Sequence, residues 1–182
     1  GENMSIANSL VENAWYAAGL SGDFAPGKVH GRVIASKPMV LWRNRDDRIS
    51  VFDDRCIHKR MPLSAGRIMD DGCLECVYHG LRYDADGICV AIPSQPDGPI
   101  PARARLRPYP LCEQQGLVWV WPGDEGRIGN CRPPATPEID DADWDTCPSD
   151  RLPVSANYRL LIENLLDITH FYPLHDGNIG DL

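Results

Sequence analysis

The sequence predicts an α+β protein in which an antiparallel β domain over about residues 35–125 precedes a helical segment that starts near residue 155. Three observations carry this. Short apolar runs recur between turn-forming residues through the first two thirds of the chain. A stretch rich in Asp, Pro and Gly then breaks the pattern, and the residues after it repeat their apolar positions at helical spacing. A chain of 182 residues can bury one substantial core and begin a second.

Residues 1–34 read as an N-terminal segment whose aromatics, Trp15 and Tyr16, belong to the core. Met39 to Arg43 and Ile49 to Asp53 are apolar runs separated by Asn44-Arg45-Asp46-Asp47-Arg48, the pattern of a hairpin. Leu74 to Tyr78 and Leu81 to Tyr83 flank a loop, and Asp84-Ala85-Asp86-Gly87 supplies a turn before Ile88 to Ile92. Six prolines between Pro93 and Pro110 predict a long surface loop, and Leu117 to Trp121 closes the domain as a buried strand. Residues 126–154 read as a linker, with Trp144 as a packing anchor. In residues 155–182, Tyr158, Leu161, Ile162, Leu165, Leu166 and Thr169 recur on one helical face, which would pack into a second domain.

Chemistry concentrates in two mixed pairs. Cys56-Ile57-His58 is spaced C-x-H, Cys76-Val77-Tyr78-His79 is spaced C-x-x-H, and seventeen residues lie between them. Two thiolates and two imidazoles suit a Rieske-type [2Fe-2S] centre, in which two His replace two Cys on one iron and raise the reduction potential. A zinc site takes the same residue types. Zinc fingers pair Cys with Cys and His with His, whereas each pair here is mixed. Mixing is what a flat cluster requires if each loop places one sulfur on a buried iron and one nitrogen on an outer iron. Gly66, Gly72 and Gly80 stand where tight loops need positive φ or close backbone approach, and where amides can donate to sulfur.

The run Cys56-Ile57-His58-Lys59-Arg60-Met61-Pro62-Leu63, followed by Cys76-Val77-Tyr78-His79-Gly80-Leu81, resembles the Rieske domain of ring-hydroxylating and demethylating oxygenases. A Rieske ferredoxin-type electron carrier with a C-terminal extension shares those residues and is the alternative. Asn164-Leu165-Leu166-Asp167-Ile168-Thr169-His170-Phe171-Tyr172-Pro173-Leu174-His175 resembles the mononuclear-iron motif of the same oxygenases, N-x-x-D-x-x-H-x-x-x-x-H. Non-haem Fe(II) that activates O2 takes two His, one carboxylate and open positions, and His170 with His175 would be the imidazoles. On an ideal helix the two would lie about 140° apart and about 7.5 Å along the axis. Pro173 between them would break the helix and let both reach one metal.

The resemblance implies an antiparallel β Rieske domain followed by the start of an α+β, helix-grip-like catalytic domain. It implies a terminal oxygenase component with two cofactors: a [2Fe-2S] Rieske cluster on Cys56, His58, Cys76 and His79, and mononuclear non-haem Fe(II) on His170 and His175. Its reaction would be hydroxylation, dihydroxylation or demethylation of a small aromatic substrate. The spacing of Asn164 and Asp167 is similar to that of the phthalate, vanillate and dicamba branch, which handles aromatic acids and ethers. By the same resemblance Asp167 bridges His170 to His79 of the partner subunit in a homotrimer, and a ferredoxin or flavin-dependent reductase supplies electrons. The other reading is that Asp167 orients His170 by a hydrogen bond and does nothing more. Relatives continue through a sheet that encloses substrate and carries the third iron ligand, a position that neither Asp176 nor Asp181 matches. The sequence therefore reads as the front half of an oxygenase subunit, inactive by itself.

Composition narrows the class. The chain carries 43% hydrophobic and 24% charged residues, as an ordinary globular protein does. No run of about eighteen apolar residues suggests a membrane span, and the net charge of −8 opposes a nucleic-acid role. With two of the seven Cys assigned to the cluster, the others read as reduced thiols of a cytoplasmic protein; Cys73 has no second Cys in the first loop to pair with. Arg103, Arg105 and Arg107 read as solvated, whereas Lys59 and Arg60 beside the ligands read as part of a docking surface for an acidic electron donor.

Overall fold

Ten strands alternate with tight turns in the computed structural model, which describes residues 10–147, 151–170 and 174. They are β1 Tyr16–Leu20, β2 Val29–Ile34, β3 Lys37–Arg43, β4 Ile49–Asp53, β5 Arg67–Ile68, β6 Leu74–Glu75, β7 Arg82–Tyr83, β8 Cys89–Ala91, β9 Leu111–Gln114 and β10 Leu117–Val120. All pair antiparallel, in three sheets of order β1-β10-β9, β2-β3-β4 and β5-β6-β7-β8.

Strand β3 explains how the sheets are held together. Its residues Met39 to Arg43 are all buried, because alternate side chains enter two different cores. Val40 and Trp42 point into one core together with Phe52, Leu63, Leu74, Tyr83, Cys56 and Cys76. Met39 and Leu41 point into the other, with Phe24, Ile49, Val51, Val118 and Val120. Strand β3 is therefore buried on both faces, which is why its sequence is a continuous apolar run rather than an alternating one. Each large apolar side chain buried this way contributes roughly 1.5–3 kcal/mol.

The turns are built by side chains that mimic backbone. In the 44–48 loop, the Asn44 side-chain oxygen accepts from the amides of Asp46 (3.0 Å) and Arg48 (2.9 Å). The Asp84 carboxylate accepts from Asp86 and Ile88 in the same way, both at 2.9 Å. The β2–β3 turn, Ala35-Ser36, places both residues at positive φ, 48° and 63°. A two-residue hairpin needs that geometry, and Asn-Gly usually supplies it.

Several expectations change here. Residues 16–34, read as lying ahead of the β domain, supply strands β1 and β2 to it, and β1 pairs with β10 from the far end. The proline-rich stretch is not wholly superficial: Ala104, Leu106 and Tyr109 are buried, and bridges join Pro108 to Phe52 and Arg105 to Ile88. Trp144 is 62% exposed, not the packing anchor expected. Much of the expected linker is tied to the β unit, since Gln115 donates to the Thr136 carbonyl at 2.8 Å and Trp15 to the Cys131 carbonyl at 3.2 Å.

Contacts divide the chain into two units, Gly1–Thr146 and Cys147–Leu182. The second contains α1, Tyr158–Leu166, capped by the Asn157 side chain, which accepts from the Arg159 amide at 3.0 Å. Among the described residues, no helix is long and apolar enough to cross a membrane.

Candidate metal centre

The two loops that carry the Cys/His pairs are built alike. In the first, after β4, the Cys56 amide donates to the Met61 carbonyl (2.8 Å) and the Arg60 amide to the Cys56 carbonyl (3.0 Å). In the second, between β6 and β7, the Cys76 amide donates to the Leu81 carbonyl (2.9 Å) and the Gly80 amide to the Cys76 carbonyl (3.0 Å). The fifth residue of each loop turns through the left-handed region, Arg60 at φ 58° and Gly80 at φ 70°. The histidine is third in one loop and fourth in the other, so the C-x-H and C-x-x-H spacings converge on one geometry.

That geometry sorts the ligands by element. Cys56 and Cys76 are 2% and 1% exposed, within the core, while His58 and His79 lie at the surface. The imidazoles face one another with Nδ1 atoms 3.2 Å apart and ring centroids 4.4 Å apart. Among the described residues no three His, Cys, Asp or Glu side chains gather as a single metal site would require. Two outer nitrogens and two inner sulfurs fit a two-iron rhomb, in which each iron takes two protein ligands. Burial pushes the Cys76 thiol up, with Cys56 beside it acting in the same direction, while the amides of Tyr78 and His79 directed at the sulfur pull it down. Gly66 serves by close approach, since an added Cβ would fall 2.3 Å from the Glu75 carbonyl oxygen.

Sequence reasoning missed three supports. Tyr83, fully buried, places its hydroxyl 3.1 Å from Cys56 Sγ, and the Ile57 amide donates to that hydroxyl at 3.4 Å. Burial, then the hydrogen bond to Cys56, pushes the Tyr83 phenol well above its ordinary value, so it stays a donor. Asp54 accepts from the Ser64 amide (2.7 Å) and hydroxyl (2.5 Å) and staples the first loop across its base. Glu75, next to Cys76, accepts from Arg67 at 3.0 and 2.6 Å and from Arg82 at 2.9 Å. The available signals were an inward Tyr on the strand after the second loop and a carboxylate one or two residues before each ligand Cys.

The surroundings of the histidines are apolar and cationic. Ile57, Val77 and Tyr78 are exposed beside them, and Lys59 and Arg60 are exposed in the first loop. Arg103, Arg105 and Arg107 are exposed, with Arg107 lying over the Tyr109 ring at 5.4 Å. All seven cysteines are free, and burial pushes the Cys73 thiol up to about 11, with Asp71 adding to it.

Of the second motif, the structure places Asn164, Asp167 and His170, whereas His175 and Pro173 lie outside the described residues. The helix ends sooner than the periodicity implies. Leu166 is its last residue, Asp167 is extended (φ −85°, ψ 96°), and Ile168–His170 form a separate 3-10 turn. Asp167 stops the helix because its carboxylate captures the Thr169 amide (2.9 Å) and hydroxyl (2.5 Å) in place of the next helical bond. Those two bonds hold the Asp167 carboxyl below its ordinary value. Its other oxygen lies 3.8 Å from His170 Nδ1, so the two residues are neighbours although they do not share a helical face. Asn164, Leu165 and Leu166 are exposed.

Comparison with known proteins agrees with this geometry. Residues 14–110 match the Rieske [2Fe-2S] domain family. The chain is 34% identical over 177 residues to the toluene-4-sulfonate monooxygenase system iron-sulfur subunit of Comamonas testosteroni, covering 94% of this chain and 48% of that protein. It is 37% identical over 173 residues to the dicamba O-demethylase oxygenase component of Stenotrophomonas maltophilia, covering 93% and 49%. The crystal structure of dicamba monooxygenase bound to dicamba superposes with a TM-score of 0.83 at 35% identity, over 92% of this chain and 49% of that one. The chain thus spans about half the length of the curated relatives it matches.

Proposed function

The chain belongs to the Rieske [2Fe-2S] family, and from that premise we propose that it is the electron-receiving part of a terminal oxygenase component acting on a small aromatic substrate. The observation that carries the proposal is the paired arrangement of ligands, with two buried sulfurs and two facing surface imidazoles. When bound, a Rieske cluster supplies single electrons at a potential raised by its imidazoles, and a two-His-one-carboxylate iron supplies O2 activation.

The protein's own residues do the rest. Cys56 and Cys76 hold their sulfurs away from water, with the Tyr78 and His79 amides aimed at one and the Tyr83 hydroxyl at the other. His58 and His79 would bind through Nδ1, which leaves their Nε2 edges toward solvent for electron entry and exit. Ile57, Val77, Tyr78, Lys59 and Arg60 surround those edges and suit an acidic ferredoxin or flavin-dependent reductase. Asp167, beside His170, suits a bridge from that histidine to His79 of the partner subunit, which requires a homotrimer. Resemblance to a demethylase and to a sulfonate monooxygenase supports an aromatic acid or ether as substrate.

The motif at Asn164, Asp167 and His170 favours the oxygenase over a simple electron carrier, which needs no second pair of histidines. The full-length oxygenase component, purified anaerobically, should hold about two irons and two acid-labile sulfides for the cluster, and about one more iron at the second site. Changing His170 and His175 together to Ala should remove that one iron and preserve the Rieske spectrum. Loss of the cluster as well would overturn the two-site reading.

A further inference from the structure

The sheet that carries the second ligand loop has very little backbone to define it. Strands β5, β6 and β7 are two residues each, so they share only two rungs. One rung is Ile68, Leu74 and Tyr83, facing the core that contains the ligand cysteines. The other is Arg67, Glu75 and Arg82, in which Glu75 is directly opposite an arginine on both sides. The buried rung sets the register, since a slip of one residue would carry Leu74 off the core and turn Cys76 to the wrong face.

The charged rung ties the same three strands together on the opposite face. The Glu75 side chain is only 10% exposed and takes three hydrogen bonds, two on Oε1 from Arg67 and one on Oε2 from Arg82. Both carboxylate oxygens are engaged, and each arginine comes from a different neighbouring strand. Gly66, which precedes Arg67, approaches the Glu75 carbonyl so closely that no side chain fits there. The loop closes one residue beyond this rung, where the Cys76 amide meets the Leu81 carbonyl at 2.9 Å.

We propose that Arg67, Glu75 and Arg82 form a clamp that positions Cys76 and His79 for cluster binding, with Glu75 as its central positioning residue. This rests on reading Cys56, His58, Cys76 and His79 as the cluster ligands. The clamp works through reach as well as charge, because one carboxylate must touch two guanidinium groups on opposite strands. Asp at position 75 keeps the charge but is one methylene short. Positioning therefore predicts that Glu75→Asp and Glu75→Gln behave alike, whereas a purely electrostatic role predicts that Glu75→Asp behaves as the parent protein.

The test compares the rate at which excess EDTA bleaches the cluster, together with the EPR g-values of the reduced protein, in the parent, Glu75→Asp and Glu75→Gln. Glu113→Gln is the control, since Glu113 pairs at 2.8 Å with the buried Arg43 and belongs to a different sheet. Both Glu75 variants should lose the cluster about tenfold faster or more, the lower end of the affinity loss that follows removal of a support behind metal ligands, with shifted g-values, while Glu113→Gln keeps the parent rate. Parent-like bleaching and g-values in either Glu75 variant would overturn the clamp, as would equal acceleration in Glu113→Gln. If neither Glu75 variant accumulates, Arg67→Gln decides by the same criteria, because that side chain is 73% exposed and its loss leaves the core intact. A parent protein without two irons and two sulfides would instead refute the ligand assignment itself.

Discussion

Replacing Tyr83 by Phe should lower the reduction potential of the cluster without displacing it. The hydroxyl lies 3.1 Å from Cys56 Sγ, in a side chain with no exposure to solvent, and the Ile57 amide donating at 3.4 Å orients it toward the sulfur. Reduction adds negative charge to the cluster and its sulfurs, so a donor to sulfur stabilises the reduced form more than the oxidised one. A hydrogen bond contributes about 0.5–1.5 kcal/mol net, and more with a charged acceptor. Taking about 1 kcal/mol as the difference between redox states, and 59 mV per tenfold for one electron, the potential should fall by about 40 mV. The assay is an EPR-monitored redox titration of protein with full iron and sulfide content. Tyr109→Phe is the control, because that hydroxyl donates to Asp53 and belongs to the other core. An unchanged or raised potential in Tyr83→Phe would refute the argument, and an equal fall in the control would assign the effect to general loosening.

Other consequences are as direct. Ser36 is exposed and held at φ 63°, so Ser36→Gly should stabilise the protein by roughly 0.5 kcal/mol, the left-handed penalty less the extra chain entropy of glycine; a lower urea midpoint would count against it. Partial burial raises the Glu113 carboxyl, but the bonds from Arg43 and Ser21 outweigh it and hold the group below its ordinary value of 4.5. The associated stability is therefore present above pH 4.5 and is lost as the pH falls through the lower folded value, and Glu113→Gln should flatten the pH dependence of melting in that acid window. Leu63, fully buried beside the first loop, should cost about 2–5 kcal/mol when cut to Ala, read by urea unfolding.

The hairpin of β3 and β4 was legible because its apolar runs are bounded by Asn and Asp, residues that close a turn with their own side chains. Strand β2 was not, because Ala35-Ser36 adopts a turn that carries no Asn-Gly signal, and the geometry is enforced by pairing from both sides. Strand β1 finds its partner β10 about a hundred residues later, which no local pattern announces. The helix in the second unit was legible from its period, but its end at Leu166 was not, since the capture of Thr169 by Asp167 is a competition between side chain and backbone.

What the sequence by itself determined is the supply of donors: Cys56, His58, Cys76 and His79 are spaced so that each loop carries one sulfur and one nitrogen, and that is a property of residue types. What only the tertiary structure decided is the sorting of those four side chains into a buried pair and a surface pair, and the supports behind them. Tyr83, Asp54 and Glu75 act on residues of other strands and loops, and a side chain's role toward a distant neighbour exists only once the chain has brought the two within bonding distance.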